Sequence, residues 1–289
     1  MLSKENKKLL KSFADQSDKL FDLGIIRTDS FTGEIGEYVA SVMLELIKTD
    51  RVTQAVDGID KNGKKYQVKA KVIENDKYNY GLGVLEVSRF DYLVVVYFNN
   101  FYRPLKIAII HSNQLSSGSV SISSKFLNTI DCKIIAADEI ELPRIEQDEI
   151  LLFGKLYEEL REKNIIRSRR IVGDLGEFYG SQYLDLILSK NKNEKGVDAC
   201  DGNGVKYEIK TRRVYESGRR KSKTRRLNNL VGKDSEFLVV VVLDRSFSCA
   251  GMWLMPMKNV ENPKSATLSI VNKTEGVKII VECKIDWLV

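Results

Sequence analysis

The sequence has one histidine and four scattered cysteines, and each scarcity disfavours a class of protein. A mechanism that needs a histidine pair or a histidine metal cluster is not expected; His111 ends an apolar run, which indicates a structural role. Cys132, Cys200, Cys249 and Cys283 show no CxxC spacing, which disfavours a zinc ribbon or a disulfide framework and predicts a reducing cytoplasm. No apolar run approaches the roughly 20 residues that span a membrane. The N-terminus carries lysines but no apolar segment, so no secretion signal is expected.

The net charge is +6, and its distribution along the chain is more informative than its size. Residues 1–142 hold 19 basic and 19 acidic residues, whereas residues 143–289 hold 27 and 21, so the whole excess lies in the second half. Much of this excess is concentrated in one basic run, Arg212 to Arg226. Such a run would more often be a solvated loop if it stood alone, but it follows a candidate metal site directly and therefore indicates nucleic-acid binding. The candidate DNA-binding residues are Arg212, Arg213, Arg219, Arg220, Lys221, Lys223, Arg225 and Arg226.

The chain is a tandem duplication. Leu20–Glu37 aligns without a gap on Leu160–Glu177, 140 residues later. After one inserted residue, Val56–Lys71 aligns on Val197–Arg212, and the apolar run at Tyr92 aligns on the one at Phe237. Pro143 falls between the copies, which predicts two domains, 1–142 and 143–289.

Both copies have the same predicted order of elements: two helices, a hairpin and three further strands. The apolar Val runs predict strands buried on both sheet faces. The predicted helices are 5–23 and 33–48 in the first copy, and 146–163 and 173–189 in the second. The predicted strands after each hairpin are 92–98, 105–111 and 132–136, and 237–243, 251–255 and 277–283.

The hairpin of the second copy carries Asp198, Glu208 and Lys210. Side chains alternate along a strand, so Glu208 and Lys210 share one face. A two-residue turn would place Asp198 on the other face, whereas a three-residue loop at 202–204 with a left-handed final glycine places it opposite Glu208. The remaining face is then apolar, with Val197, Ala199, Tyr207 and Ile209. The sequence therefore predicts the three-residue loop.

These residue types suit magnesium chemistry. Mg²⁺ takes hard oxygen ligands and keeps several waters, so that two or three carboxylates make a plausible site. A bound metal ion offsets charge on a phosphate and lowers the pKa of its water, and an adjacent ammonium stabilises the transition state. An isolated Asp and Glu-x-Lys pattern is a weak signal. The turn chemistry, the apolar alternation and the basic run strengthen it.

The order of helix Glu177, strand Asp198 and the Glu208-x-Lys210 strand resembles the PD-(D/E)XK nuclease superfamily, in both halves of the chain. This resemblance implies an α/β fold: two tandem restriction-endonuclease-like domains, each a mixed central sheet flanked by helices, forming an internal pseudo-dimer. It implies that Asp198 and Glu208 bind Mg²⁺, that Lys210 orients or activates the attacking water, and that Glu177 holds the metal or its water.

The first copy departs from this pattern at one position. Glu37, Asp57 and Lys69 match the superfamily residues, but Gln67 replaces the second carboxylate. Some nucleases of this superfamily use Gln-x-Lys, and an amide oxygen can coordinate a cation without supplying charge. Two interpretations stay open: a second, weaker active site, or a degenerate copy that recognises DNA or scaffolds its partner.

The sequence thus predicts a magnesium-dependent endonuclease of double-stranded DNA, in restriction or defence, acting as a monomeric pseudo-dimer or a homodimer. A cognate DNA methyltransferase would be a compatible partner. The alternatives are a Holliday junction resolvase or repair nuclease of the same superfamily, and a non-catalytic DNA-binding protein with a vestigial site.

Three further sets of residues have mainly structural interpretations. Asp60 and Asp201 flank the predicted turns and are expected to form them rather than bind metal. Arg27 and Arg167 either reach a phosphate or cap local structure. The repeated Gly-x-x-Gly pattern predicts close helix packing rather than a phosphate loop, since no P-loop Lys and Ser follow; it lies at Gly33 to Gly36 and at Gly173 to Gly176.

Overall fold

A computed structural model describes residues 3–49, 55–73, 80–189, 197–215, 226–228, 230–232 and 234–285. Within these ranges the protein is a mixed α/β structure. None of the described helices combines the length and the apolar character that a membrane crossing requires.

The first copy contains three α-helices and eight strands in the described residues. Its helices are α1 (Lys4–Asp22), α2 (Phe31–Met43) and α3 (Ser124–Leu127). Its strands are β1 (Ile47–Lys48), β2 (Gly58–Ile59), β3 (Lys65–Val72), β4 (Tyr80–Leu85), β5 (Tyr92–Phe98), β6 (Pro104–His111), β7 (Gly118–Ile122) and β8 (Cys132–Ala136). Short 3₁₀ turns lie between these strands at Val87–Arg89 and Ser112–Gln114, and after β8 at Ala137–Glu139.

The second copy repeats the main elements. Its helices are α4 (Arg144–Glu162) and α5 (Ile171–Leu184). Its described strands are β9 (Ile187–Leu188), β10 (Ala199–Cys200), β11 (Lys206–Arg213), β12 (Phe237–Leu243), β13 (Cys249–Pro256) and β14 (Lys278–Val281). Its 3₁₀ turns in the described residues are Met257–Asn259 and Leu268–Asn272.

Each copy builds a six-stranded mixed sheet with the same pairing. The orders are β1-β2-β3-β5-β6-β8 and β9-β10-β11-β12-β13-β14. Only the central pairs, β3 with β5 and β11 with β12, are parallel, and the other pairs are antiparallel. Strands β4 and β7 form a separate two-stranded sheet. The duplication predicted from sequence therefore appears as a repeated sheet topology.

The central strand of each sheet lies in the core. The Val residues of β5 and β12 are fully buried, as their unbroken apolar runs predict. Helix α2 packs on β3 and β5, and α5 packs on β11 and β12. The close packing predicted from the glycine pattern is confirmed at its second member: a Cβ on Gly36 would lie 2.3 Å from Ala70 Cβ, and one on Gly176 only 1.6 Å from Thr211 Oγ1. Gly33 and Gly173 face open space.

Contacts between residues divide the chain into two compact units. The first-copy unit is residues 16–158, and the second-copy unit is residues 1–15 with 159–289. Their limits fall inside α1 and α4, not at residues 142 and 143. In the second-copy unit the ring of Phe13 lies 5.5 Å from that of Phe247; in the first-copy unit Phe153 lies 5.0 Å from Phe31. The predicted boundary between residues 142 and 143 concerns where the sequence repeat begins. The contacts show only which residues pack together, so this boundary stays a prediction.

The predicted second helix of each copy is too long. The residues after α2 and α5 include Glu45 and Asp185, whose φ values of 52° and 53° are left-handed and cannot continue a helix. The chain then forms the short edge strands β1 and β9, which pair with β2 and β10. The apolar Leu and Ile in these segments fit a helix face equally well, so the helical interpretation was wrong there.

His111 and the turn aspartate of the first copy have the structural roles expected of them. His111 Nδ1 accepts a hydrogen bond from the Asn113 backbone N–H at 3.2 Å, and its ring meets Tyr92 edge-on at 5.1 Å. Asp60 Oδ1 accepts hydrogen bonds from the N–H groups of Asn62 and Lys64, both at 2.9 Å. These contacts account for both side chains without a metal or a ligand.

Candidate active site

The second-copy hairpin has the predicted three-residue loop. The backbone N–H of Asp201 donates to the Val205 carbonyl at 3.1 Å, so these two residues close the loop. Gly204 has φ +82°, a left-handed conformation that glycine adopts without strain. The Asp201 carboxylate accepts from the N–H groups of Asn203 at 2.9 Å and Val205 at 3.0 Å. Asp201 is therefore a turn former, as its position predicted.

This loop places Asp198 across from Glu208. Ala199 pairs with Tyr207, and the Asp198 N–H donates to the Tyr207 carbonyl at 2.9 Å. The Ile209 N–H donates to Asp198 Oδ2 at 2.7 Å. A charge-assisted bond of this kind holds the carboxylate in one orientation. The register predicted from sequence is therefore confirmed.

Glu208 is buried more deeply than the sequence indicates. Its side chain is only 1% exposed, although it lies on the face opposite Tyr207 and Ile209. Its carboxylate forms an ion pair with Lys210 Nζ, two residues along the same strand. A buried charge is strongly destabilising unless it is paired and hydrogen-bonded, so the Lys210 ammonium stabilises this carboxylate directly.

Helix α5 contributes Glu177, which is held by Arg167. The Arg167 guanidinium forms an ion pair with Glu177 and also donates from Nη1 to the Ser189 carbonyl at 2.9 Å. Asp174 fixes the Arg167 backbone, accepting its N–H at 2.7 Å. Arg167 thus belongs to the site, where it joins the helix to the segment that leads into the hairpin. The repeated spacing of Arg, acidic residue and Glu in both copies is the sequence signal for this network.

Glu177 and Asp198 interact electrostatically. Burial raises the pKa of Glu177, the ion pair with Arg167 lowers it, and the negative charge of Asp198 raises it again. Two carboxylates that disfavour each other's ionisation form a place where added positive charge is stabilising. The geometry therefore brings the carboxylates of the helix and of the first hairpin strand within each other's field.

The first copy has the same framework. Val68 N–H donates to Asp57 Oδ2 at 2.7 Å, and Arg27 forms an ion pair with Glu37. Burial and the neighbouring Asp57 raise the pKa of Glu37 to about 7, while Arg27 lowers it. Burial also raises the pKa of Asp57, and the Val68 hydrogen bond and Lys69 lower it. The predicted Glu37, Asp57 and Lys69 are thus neighbours in this copy too.

Gln67 and Lys48 distinguish the first site from the second. Gln67 is buried, and its Oε1 has no hydrogen-bond partner among the described residues. Lys48 was not identified from sequence, because it was assigned to the end of a helix. Its Nζ lies 5.2 Å from the centroid of the Tyr38 ring and donates to the Gly24 carbonyl at 3.3 Å. Burial and Arg27 lower the pKa of Lys48, and Glu37 raises it.

The predicted DNA-binding residues are only partly described. Arg212 Nε donates to the Arg226 carbonyl at 2.7 Å, and the Arg226 side chain is exposed. Arg213 is 1% exposed, with its guanidinium 3.7 Å from the Phe247 ring centroid, so the prediction that it contacts DNA is wrong for this conformation. It follows Tyr207 and Ile209 on the core face of β11, and a cation–π contact stabilises it there. The remaining candidates lie outside the described residues: Arg219, Arg220, Lys221, Lys223 and Arg225.

The donor chemistry of the second site fits Mg²⁺, since its candidate ligands are carboxylate oxygens. In the described ranges, however, no group of three or more His, Cys, Asp or Glu side chains is gathered closely enough to hold a metal ion. Lys210 and Arg167 instead hold the carboxylates of Glu208 and Glu177.

No family model matches this chain, and no curated protein matches it at a significant level.

Proposed function

We propose that the chain is a magnesium-dependent DNA endonuclease, acting in restriction or defence, and that the second copy carries the cutting site. The observation that carries this proposal is the hairpin register. It sets Asp198 opposite Glu208 and leaves Lys210 next along the same face of β11. Two carboxylates and an ammonium converging on one strand pair are the groups that metal-assisted phosphodiester hydrolysis needs.

Each residue has a distinct role in this proposal. Asp198 and Glu208 would hold Mg²⁺, with Glu177 contributing from α5. When bound, the ion offsets charge on the scissile phosphate and lowers the pKa of its water. The ion pair with Glu208 keeps the Lys210 ammonium at the site, where it can orient the attacking water and stabilise negative charge that develops on the phosphate. Arg167 orients Glu177.

The test is cleavage of supercoiled plasmid with Mg²⁺ by the wild type, Glu208→Ala and Lys210→Ala. Lys206→Ala is the matched control, since Lys206 is an exposed lysine at the start of the same strand. We expect loss of at least about 100-fold in cutting rate for the two site variants, in keeping with removal of an electrostatic catalytic group. Lys206→Ala should cut like the wild type. Cutting that survives both site substitutions would overturn the site assignment.

A non-catalytic DNA-binding protein is the second candidate, and one observation favours it. Both Glu177 and Glu208 are already neutralised by basic side chains, and the described residues contain no three-ligand cluster. Wild-type protein that binds duplex DNA but does not cut it with Mg²⁺ or Mn²⁺ would support this candidate. A parallel assay with a four-way junction of the same sequence separates a junction resolvase, which would cut only the branched substrate.

A further inference from the structure

The two candidate sites differ at two charged positions. Gln67 stands where the second copy has Glu208, and Lys48 stands where it has Leu188. The strand registers establish the second equivalence: Lys48 pairs with Gly58 in β2, and Leu188 pairs with Ala199 in β10. Both partners directly follow the candidate metal-binding aspartate of their copy.

The residue that follows Lys48 is hydrogen-bonded to the first-copy network. The next residue, Thr49, accepts a hydrogen bond from Arg27 Nη1 at 3.2 Å, and its N–H donates to the Asp57 carbonyl at 3.2 Å. Arg27 in turn forms the ion pair with Glu37. The Lys48 ammonium is held by the Gly24 carbonyl and the Tyr38 ring, so that its position relative to this network is fixed.

The two differences change the charge of the site in the same direction. Gln67 removes one negative charge relative to Glu208, and Lys48 adds one positive charge relative to Leu188. Together they make the described first-copy site two charge units more positive than the second. This is the charge that a divalent cation would bring, so a metal ion in the first site would meet a fixed ammonium and one fewer carboxylate.

We infer that the first-copy site, with Gln67 in place of a carboxylate and an added ammonium at Lys48, does not bind a divalent metal ion, so that one chain binds a single catalytic metal, in its second copy. This inference rests on the proposed function. It follows that one molecule cuts one strand of the duplex per binding event and first converts supercoiled plasmid to the open circle. A double-strand break then needs a second molecule or rebinding.

The experiment counts Mn²⁺ ions bound per full-length chain by electron paramagnetic resonance of the free ion. We expect one bound ion in the wild type, none in Asp198→Ala and one in Asp57→Ala. The reciprocal exchange is the decisive measurement: Lys48→Leu with Gln67→Glu should bind two ions, and Leu188→Lys with Glu208→Gln should bind none. Lys64→Leu, which replaces an exposed lysine of the first copy, is the control and should bind one.

The outcomes separate this inference from the proposed function. Two ions in the wild type would overturn the inference and leave the second site standing, whereas none would overturn the proposed function. One ion that is lost in Asp57→Ala instead of Asp198→Ala would also refute the inference. If the Lys48→Leu with Gln67→Glu protein is folded by circular dichroism and still binds one ion, the role given to these two residues is refuted. If that protein does not fold, the single variant Leu188→Lys is the deciding measurement. Binding of one ion by Leu188→Lys, as in the wild type, would refute the role given to the lysine.

Discussion

Gly176 lies where α5 comes closest to β11, and its replacement by alanine tests how Glu177 is positioned. An added Cβ would lie 1.6 Å from Thr211 Oγ1, 2.7 Å from Thr211 Cβ and 2.9 Å from Thr211 Cγ2. Rotation of the Thr211 side chain can move Oγ1 and Cγ2, but it cannot move Cβ. The distance between the two Cβ atoms must therefore grow from 2.7 Å to at least the 3.4 Å of ordinary contact, which separates helix and strand by about 0.7 Å.

The expected cost can be isolated with a matched variant. Overpacking of this kind costs about 1–3 kcal/mol. Alanine also gains up to about 1 kcal/mol over glycine from helix propensity, which obscures the cost in a single variant. Gly173 lies in the same helix, and a Cβ there meets nothing within 4 Å. Gly173→Ala gains only the propensity contribution, so Gly176→Ala should be less stable than Gly173→Ala by about 1–3 kcal/mol.

Urea unfolding followed by tryptophan fluorescence measures this difference. Trp253 belongs to the second-copy unit, and the sequence has no tryptophan before it, so the signal reports the unit that holds Gly176. Gly176→Ala should also lower the cutting rate, because Glu177 is the next residue and moves with the helix. Equal free energies of unfolding for the two variants, or a less stable Gly173→Ala, would refute the close contact between α5 and β11.

Three further predictions concern the turns and the first-copy site. Asp201→Ala should destabilise the second-copy unit by about 1–2 kcal/mol in the same fluorescence assay, because two backbone N–H groups lose their acceptor; an unchanged midpoint would contradict this. Gly204→Ala should cost about 1 kcal/mol because of its left-handed φ, while Gly202→Ala, with open space at Cβ, should cost less; equal costs would refute the loop assignment. Glu37→Gln should affect stability only at higher pH. Its folded pKa of about 7 lies above the ordinary 4.5. The protonated carboxyl is therefore accommodated fully below about pH 4.5, and this contribution to stability is lost as the pH rises through 7 and the buried group ionises. The variant should equal the wild type at pH 4.5 and be more stable at pH 8, by about 1–2 kcal/mol after allowance for partial contact with water, in chemical unfolding followed by circular dichroism. A wild type that is the more stable at pH 8 would contradict it.

The hairpin could be predicted because two local rules agreed. The turn residues allowed either loop length, but only the three-residue loop placed apolar side chains on one face and Asp198 opposite Glu208. Register is specified strongly where one face of a strand is buried, since a slip of one residue exposes the whole apolar set. Ala199, Tyr207 and Ile209 are indeed buried.

The rest of the site depends on features that local patterns do not contain. The left-handed Asp185 and Glu45 end their helices without a glycine or a proline, so a continuing apolar pattern predicted helix. Lys48 was missed for the same reason, because the predicted helix extended to residue 48. The burial of Arg213 follows from a partner distant in sequence, Phe247, although the alternation of β11 placed it on the core face.

The energetics of Glu37 bear on the interpretation of the first copy that the sequence left open. A carboxyl whose pKa is raised to about 7 by burial and by Asp57 opposes folding when it ionises. A surface that only supports the fold would be more stable with a neutral residue there, since replacing buried charges by apolar groups is often neutral or stabilising. Yet the first copy keeps Glu37, Asp57 and Lys69 and adds Lys48, while Gln67 removes the charge that a metal ion would need. A charged site kept at a cost in stability is not explained by a supporting role alone, and under the proposed function the missing carboxylate counts against a second cutting site.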